Sequence, residues 1–271
     1  MAKNAYIGVG GVARKVKAPY IGVGGVAKKV KSGYIGVGGV ARQFYQSGIP
    51  IGSLPVGSSV YMNVSGVSTE FIVVHQGLPS SMYDESCNGT WLMMNIIYKD
   101  MNFNSTKNNS YVDSEIHAYL RDTLINQFDA NIKAQIKTVK IPYITGKGNA
   151  GSLASGANGL SVKLFALSCN EVGGSGLNSY YAGDGAKLDY FPSGNGTDKN
   201  PIRAAKFANG NAGSWWTRSP FTNNANGTIA VRSTGAVTNE TNSYSMYGGY
   251  GVRPALILPS SAVVNESNFV V

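Results

Sequence analysis

Trp215-Trp216-Thr217-Arg218-Ser219-Pro220, answered some thirty residues later by Gly251-Val252-Arg253-Pro254-Ala255-Leu256, is the stretch on which the fold turns. Two indoles, arginines able to make several directed hydrogen bonds, prolines that fix φ, and an Ala-Leu-Ile-Leu exit suit a buried, rigid border. Trp215, Trp216, Arg218, Arg253 and Pro254 are therefore expected as framework. Inside this border lies a polar, aromatic run in which only Arg232 and Glu240 are charged between residues 221 and 250. Asn223, Asn224, Asn226, Thr228, Asn239, Thr241, Asn242, Tyr244, Ser245 and Tyr247 are the expected ligand contacts. Tyr offers large contact area at low entropy cost, and Asn and Ser supply adaptable hydrogen bonds, as in antibody paratopes. A polar loop region between two strands has the same composition.

Working outward, 271 residues allow one domain of ordinary size plus an appendage. Charged residues make up only 14% and glycines number 35, a balance that favours strands and loops. The net charge of +9 suggests a nucleic-acid partner until it is located. Eight basic side chains and no acid fall before residue 46, whereas the rest carries 15 basic against 14 acidic residues. The body is nearly neutral, and the bias sits in the N-terminal segment.

That segment repeats with period 14: YIGVGGVARKVK from Tyr6, YIGVGGVAKKVK from Tyr20 and YIGVGGVARQFY from Tyr34. Each unit predicts a β-hairpin, with Gly10-Gly11, Gly24-Gly25 and Gly38-Gly39 supplying the positive φ of a primed turn. Hairpins this small bury too little to be stable alone, so residues 1–45 are expected to dock against a partner. The glycine spacing does not fit the phosphate-cradling GxxxxGK[ST] pattern. Backbone neutralisation with Tyr stacking would be the nucleic-acid alternative.

The second domain, 46–271, begins near Gln46-Ser47-Gly48-Ile49-Pro50. Ser59–Val64 and Thr69–His75 predict an antiparallel strand pair. Asp113 is placed to cap a helix carrying Ile116, Tyr119, Leu120, Leu124 and Phe128. Asp129 or Asn131 would cap a second helix bearing Ile132, Ile136 and Val139, which Pro142 ends. The expected class is α+β: short hairpin repeats followed by a loop-rich domain with two short helices.

Catalytic patterns are sparse. His75 and His117 are the only histidines, and both are expected to be locally hydrogen-bonded. Cys87 and Cys169 form no close-spaced ligand pattern and are expected to be free and buried. Asp184 and Asp189 could serve as paired carboxylates for hydrolysis or for a cation, though turn formation by Asp and Gly is the more ordinary explanation. No metal, cofactor or catalytic residue is expected. There is no apolar run of about 18 residues to cross a membrane and no apolar leader after Met1, so synthesis in the cytoplasm without a signal peptide is expected.

The tandem YIGVGGVARKVK units resemble those opening tail- and baseplate-associated proteins of phages and prophages of Gram-positive anaerobes. IKAQIKTVKIP (132–142), LFALSCNEV (164–172), LDYF (188–191), WWTRSP and GVRPAL, in that order, resemble a family of poorly characterised domains from the same tail and cell-surface contexts. Its C-terminal half is similar to the C-type-lectin-like fold of formylglycine-generating-enzyme relatives and of variable receptor-binding proteins. Neither the calcium-binding Glu-Pro-Asn, Gln-Pro-Asp and Trp-Asn-Asp motifs nor a close cysteine pair is present. The resemblance implies a non-enzymatic receptor-binding tail protein, located on a virion tail or tail-like particle. It would dock other tail or baseplate proteins through residues 1–45, form a homo-oligomer and engage a host cell-surface glycan or protein. Nucleic acid is not an expected partner. A structural baseplate role and a cell-surface-degrading enzyme are the alternatives.

Overall fold

Every residue of Gly89-Thr90-Trp91-Leu92-Met93-Met94 is buried, and successive side chains leave opposite faces of the strand. Leu92 and Met94 join an apolar cluster with Phe71, Val73, Leu256 and Trp216. Trp91 and Met93 join a second cluster with Ile72, Phe165, Ile257 and Trp215. A strand covered on both sides thus reads as a continuous apolar run instead of an alternating one. Truncating a fully buried indole such as Trp91 would cost about 3–5 kcal/mol.

The computed structural model describes residues 6–9, 12–15, 19–30, 32–37, 40–46, 48–106, 108–146, 151–174, 183–193, 197–222, 224–240 and 250–271. Their architecture is α+β, with two short α-helices and many short strands in small sheets. An antiparallel five-stranded sheet runs in the order Leu164–Ala166, Pro254–Leu258, Gly89–Met94, Val67–Gly77, Ser59–Val64. A second sheet runs Lys99–Asp100, Tyr250–Val252, Ala212–Pro220, Thr228–Val231, Val237–Glu240, with Ala205–Lys206 also paired to Ala212–Pro220. The expected early strand pair is present, Val60 opposite Phe71. It closes through Ser65 and Gly66, at φ 53° and 74°, the positive pair that a primed hairpin turn requires.

Two consecutive strands belong to different sheets. Tyr250–Val252 pairs in parallel with Ala212–Pro220, whereas Pro254–Leu258 lies between Gly89–Met94 and Leu164–Ala166. Arg253 is the single residue between them, so the Gly-Val-Arg-Pro segment is the point where the chain passes from one sheet to the other. Pro254, which has no N–H to donate, is the first residue of its strand, a position that tolerates proline.

The helical region departs from its expected form. Ser114, not Asp113, caps the first helix, Glu115–Ala118, by accepting from the His117 backbone N–H at 3.0 Å. The Asp113 carboxylate instead accepts from Asn108. The helix continues as a π-turn at Tyr119–Thr123 and a 3-10 turn at Leu124–Gln127, still burying Ile116, Leu120 and Leu124. Asp129 occupies the N-cap position of the second helix, Ala130–Gln135, as expected, but its side chain makes no cap bond; the carboxylate accepts from Asn63 instead. Val139 is not helical. Ile136 turns extended at ψ 118°, and Val139–Ile141 pairs with Leu160–Val162, where β-branched side chains pack well.

Each N-terminal repeat pairs with itself, Tyr6 opposite Lys15, Tyr20 opposite Lys29 and Tyr34 opposite Gln43. Gly24 and Gly25, at φ 60° and 77°, make the central turn; the other two Gly-Gly pairs lie outside the described residues. In the central hairpin Tyr20, Ile21, Val23 and Val26 are all exposed. Among the described residues no helix is long and apolar enough to cross a membrane.

Candidate functional site

Arg218 sits on strand Ala212–Pro220 with its side chain fully buried against Glu171. Its Nε donates to Pro142 O, Nη1 to Ala166 O and Glu171 Oε2, and Nη2 to Glu171 Oε1 and Asp184 O. All five guanidinium donors are thereby used, leaving none to offer a ligand. Glu171 also accepts from the Tyr83 hydroxyl at 2.7 Å and the Ser168 N–H at 2.8 Å. Burial alone would pull the Arg218 pKa down, but Glu171 outweighs it and the net shift is upward. Burial and then Glu171 raise that of Tyr83. A charge pair satisfied on every side holds one geometry, and its members are costly to remove singly.

The tandem tryptophans point to opposite faces of the same strand. Trp216 stacks on Tyr250 with ring centroids 4.4 Å apart, and its Nε1 donates to Met101 O. Trp215 donates to Arg203 O and lies beneath the Arg253 guanidinium at 5.2 Å. Arg253 Nε donates to Met94 O, tying the passage between sheets to the end of strand Gly89–Met94. Burial lowers its pKa to about 10, so the group remains charged at neutral pH. Trp215, Trp216, Arg218, Arg253 and Pro254 all lie inside the body.

These buried residues bracket the Asn/Ser/Thr/Tyr segment at both ends. Ser214 pairs with Tyr250 and Trp215 with Gly251, so the strand that leads into the segment neighbours the one that leaves it. Strands Ala212–Pro220, Thr228–Val231 and Val237–Glu240 form a meander. Its first connection is fastened by Asn109, whose Nδ2 lies within 3.1 Å of Phe221 O, Asn224 O and Gly227 O.

The expected ligand contacts fall into three groups. Asn224 and Asn226 are half-buried in that first connection, where Asn224 Oδ1 accepts the Asn226 N–H at 2.9 Å and shapes the turn. Thr228 is fully buried, opposite Pro220 and Glu240, and so packs inside and not on a ligand face. Coverage on both faces explains the inversion: every residue of Thr228–Val231 is buried, so even its polar first residue is enclosed. Asn239 lies on strand Val237–Glu240 opposite Ile229. Its side chain, together with Asn223, Thr241, Asn242, Tyr244, Ser245 and Tyr247, lies outside the described residues.

The two aspartates of the hydrolytic alternative have different partners. Asp184 is buried and accepts from Ser219 Oγ at 2.7 Å; burial pushes its carboxyl up, against the opposing pull of Arg218 and Ser219. Asp189 is largely exposed, with Oδ2 2.8 Å from His75 Nδ1, an ion-pair distance without hydrogen-bond alignment. Cys87 and Cys169 are buried and form no disulfide, and burial pushes the Cys87 thiol up to about 12, away from a reactive thiolate. His117 does not have the local side-chain bond expected of it: its buried Nδ1 meets no partner among the described residues.

The Glu171 role had a signal in the sequence, as the single acid within the apolar run LFALSCNEV. Asn109, inside Asn108-Asn109-Ser110, had none. Among the described residues no three His, Cys, Asp or Glu side chains cluster to hold a metal. Residues 88–260 match the family described as a domain of unknown function, DUF6273. No curated protein and no solved structure matches the chain.

Proposed function

The chain belongs to the DUF6273 family, whose matched span holds both the Arg218–Glu171 pair and the Arg253 passage; from the resemblance of its N-terminal repeats and framework motifs we propose that it is a receptor-binding protein of a phage tail or tail-like particle. The body serves as a rigid scaffold of C-type-lectin-like type, and the segment 221–250 engages a host cell-surface glycan or protein. The observation that carries this is the bracketing: a polar segment entered from the buried stretch Trp215–Pro220 and left through the neighbouring buried strand Tyr250–Val252. Fixing both ends of a recognition segment reduces the ordering cost of binding. The three hairpin repeats attach the protein to other tail or baseplate subunits, consistent with the exposed Tyr20, Ile21, Val23 and Val26 of the central unit. Several copies per particle would add avidity to weak single contacts. The separate engagements of Asp184 and Asp189 favour a binding role over a hydrolytic one.

The test is saturable binding of the fluorescently labelled chain to Gram-positive host cells, compared with a Tyr244→Ala/Tyr247→Ala variant. Each Tyr acting as a buried anchor contributes on the order of 2 kcal/mol, about thirtyfold in affinity. Loss of binding at unchanged melting temperature supports recognition through 221–250. Undiminished binding by the double variant assigns recognition elsewhere. Incorporation of the chain into particles with no cell binding in multivalent form makes the role structural.

A further inference from the structure

A cleft of about 490 Å³ opens between the helical segment and strand Leu160–Val162, within the size range of small-ligand sites. Leu120, Ile125, Val162 and Leu164 give it an apolar lining. Arg121, Lys133, Lys163, Asn126, Thr138 and Ser161 supply its polar groups, with Asp122 its one carboxylate. Three cations to one acid is a local excess in a body whose charges otherwise nearly cancel.

The excess is not neutralised within the cleft. Asp122 is bound side-on by Arg121, at 2.8 and 2.6 Å, on a well-exposed surface. Lys133 Nζ donates to Asn126 Oδ1 and Lys163 Nζ to Lys133 O, both neutral acceptors. Among the described residues neither ammonium meets a carboxylate. Held by neutral oxygens beside apolar walls, both ammonium groups keep their charge for an incoming anion; the bond made by Lys133 is exposed, whereas that of Lys163 is part-buried and loses less to solvent screening. His117 adds an imidazole that is almost wholly buried at the cleft wall.

We infer that this cleft binds a sugar-sized anionic ligand, a carboxylate or phosphate carried on a saccharide, with Lys133 and Lys163 pairing with the anion and the Leu120–Ile125–Val162 wall packing against the ring. Ser161 and Thr138 stand at the rim, where hydroxyls can meet those of a sugar. Its described lining includes no residue of 221–250, and the inference does not depend on the receptor-binding proposal.

Calorimetric titration of the full chain with glucose 6-phosphate, glucuronate, glucose and inorganic phosphate tests it. At least one of the two anionic sugars binds, more weakly as salt rises. Glucose does not bind, and inorganic phosphate binds about tenfold more weakly than glucose 6-phosphate. Lys133→Gln/Lys163→Gln lowers the affinity on the order of 10–100-fold with an unchanged melting temperature. Thr138→Glu, at an exposed rim position, abolishes binding by repelling the anion and checks the cleft without touching either lysine. Failure of both anionic sugars to bind, or binding indifferent to all three substitutions, overturns the inference. Equal affinity for free phosphate and glucose 6-phosphate overturns its saccharide part.

Discussion

Glu171→Gln removes one charge from the centre of the body while preserving the side-chain volume. The carboxylate now accepts from Arg218 Nη1 and Nη2, Tyr83 Oη and Ser168 N. An amide has one acceptor oxygen and one NH2 group. If the NH2 occupies the Oε2 position it faces two donors, Arg218 Nη1 and Ser168 N; at the Oε1 position it faces Arg218 Nη2. Either way a donor meets a donor, and the guanidinium is left buried without its counter-charge. Both side chains are fully buried, so solvent screening does not soften the loss. Breaking such a pair costs about 3–5 kcal/mol. For a body of this size that is a fall of roughly 6–20 °C in melting temperature. Urea denaturation followed by tryptophan fluorescence and near-ultraviolet circular dichroism measures it.

Arg218→Met and the double variant complete a thermodynamic cycle. The double variant also frees the carbonyls of Pro142, Ala166 and Asp184 from their donor, so it remains destabilised. It no longer buries an unpaired charge, however, and should cost at least about 2 kcal/mol less than the two single losses together. Additivity within about 0.5 kcal/mol, or a Glu171→Gln loss below about 1 kcal/mol, would refute the claim that this pair organises the core.

Two further outcomes follow from the same packing. In Gly251→Ala the new Cβ would lie 2.1 Å from Ile97 Cγ2 and 2.7 Å from Lys99 O, so the strand must shift at a loss of about 1–3 kcal/mol; a urea midpoint equal to that of the parent removes the close-approach explanation for this glycine. Burial, and secondarily Arg121, holds the His117 pKa below its ordinary 6.5. The unfolded chain therefore binds the extra proton first as pH drops. The contribution of His117 is complete above pH 6.5 and is lost as pH falls through that value towards the folded pKa. Melting temperatures between pH 7 and 5 should thus fall more steeply for the parent than for His117→Gln, and parallel slopes would contradict the assignment.

The local parts of this protein are legible in its residues. Gly24-Gly25 dictates the central hairpin because two successive positive φ angles suit glycine above all. In the turn between Ser59–Val64 and Val67–Gly77 only Gly66 carries that signal, since Ser65 takes a positive φ that its residue type does not favour. The spacing of Ile116, Leu120 and Leu124 marks a buried helical face. These signals act over a few residues, through turn chemistry and side-chain period, and survive removal from context. The framework character of the Trp215–Pro220 and Gly251–Leu256 stretches was also visible, as bulk, fixed φ and directed donors in an apolar border.

What the tertiary structure alone decided concerns partners distant along the chain. Arg218 meets Glu171 across 47 positions, Asn109 reaches the turn at Gly227 across 118, and the cleft joins residues 117–138 to residues 161–164. Thr228 turned inward because both faces of its strand are covered, and Val139 left the helical pattern to pair with Val162. A polar side chain carries the same local propensity whether it ends in solvent or in a core. Its place depends on which donors, charges and apolar walls the completed fold brings to it, and on whether their combined desolvation is met by pairing.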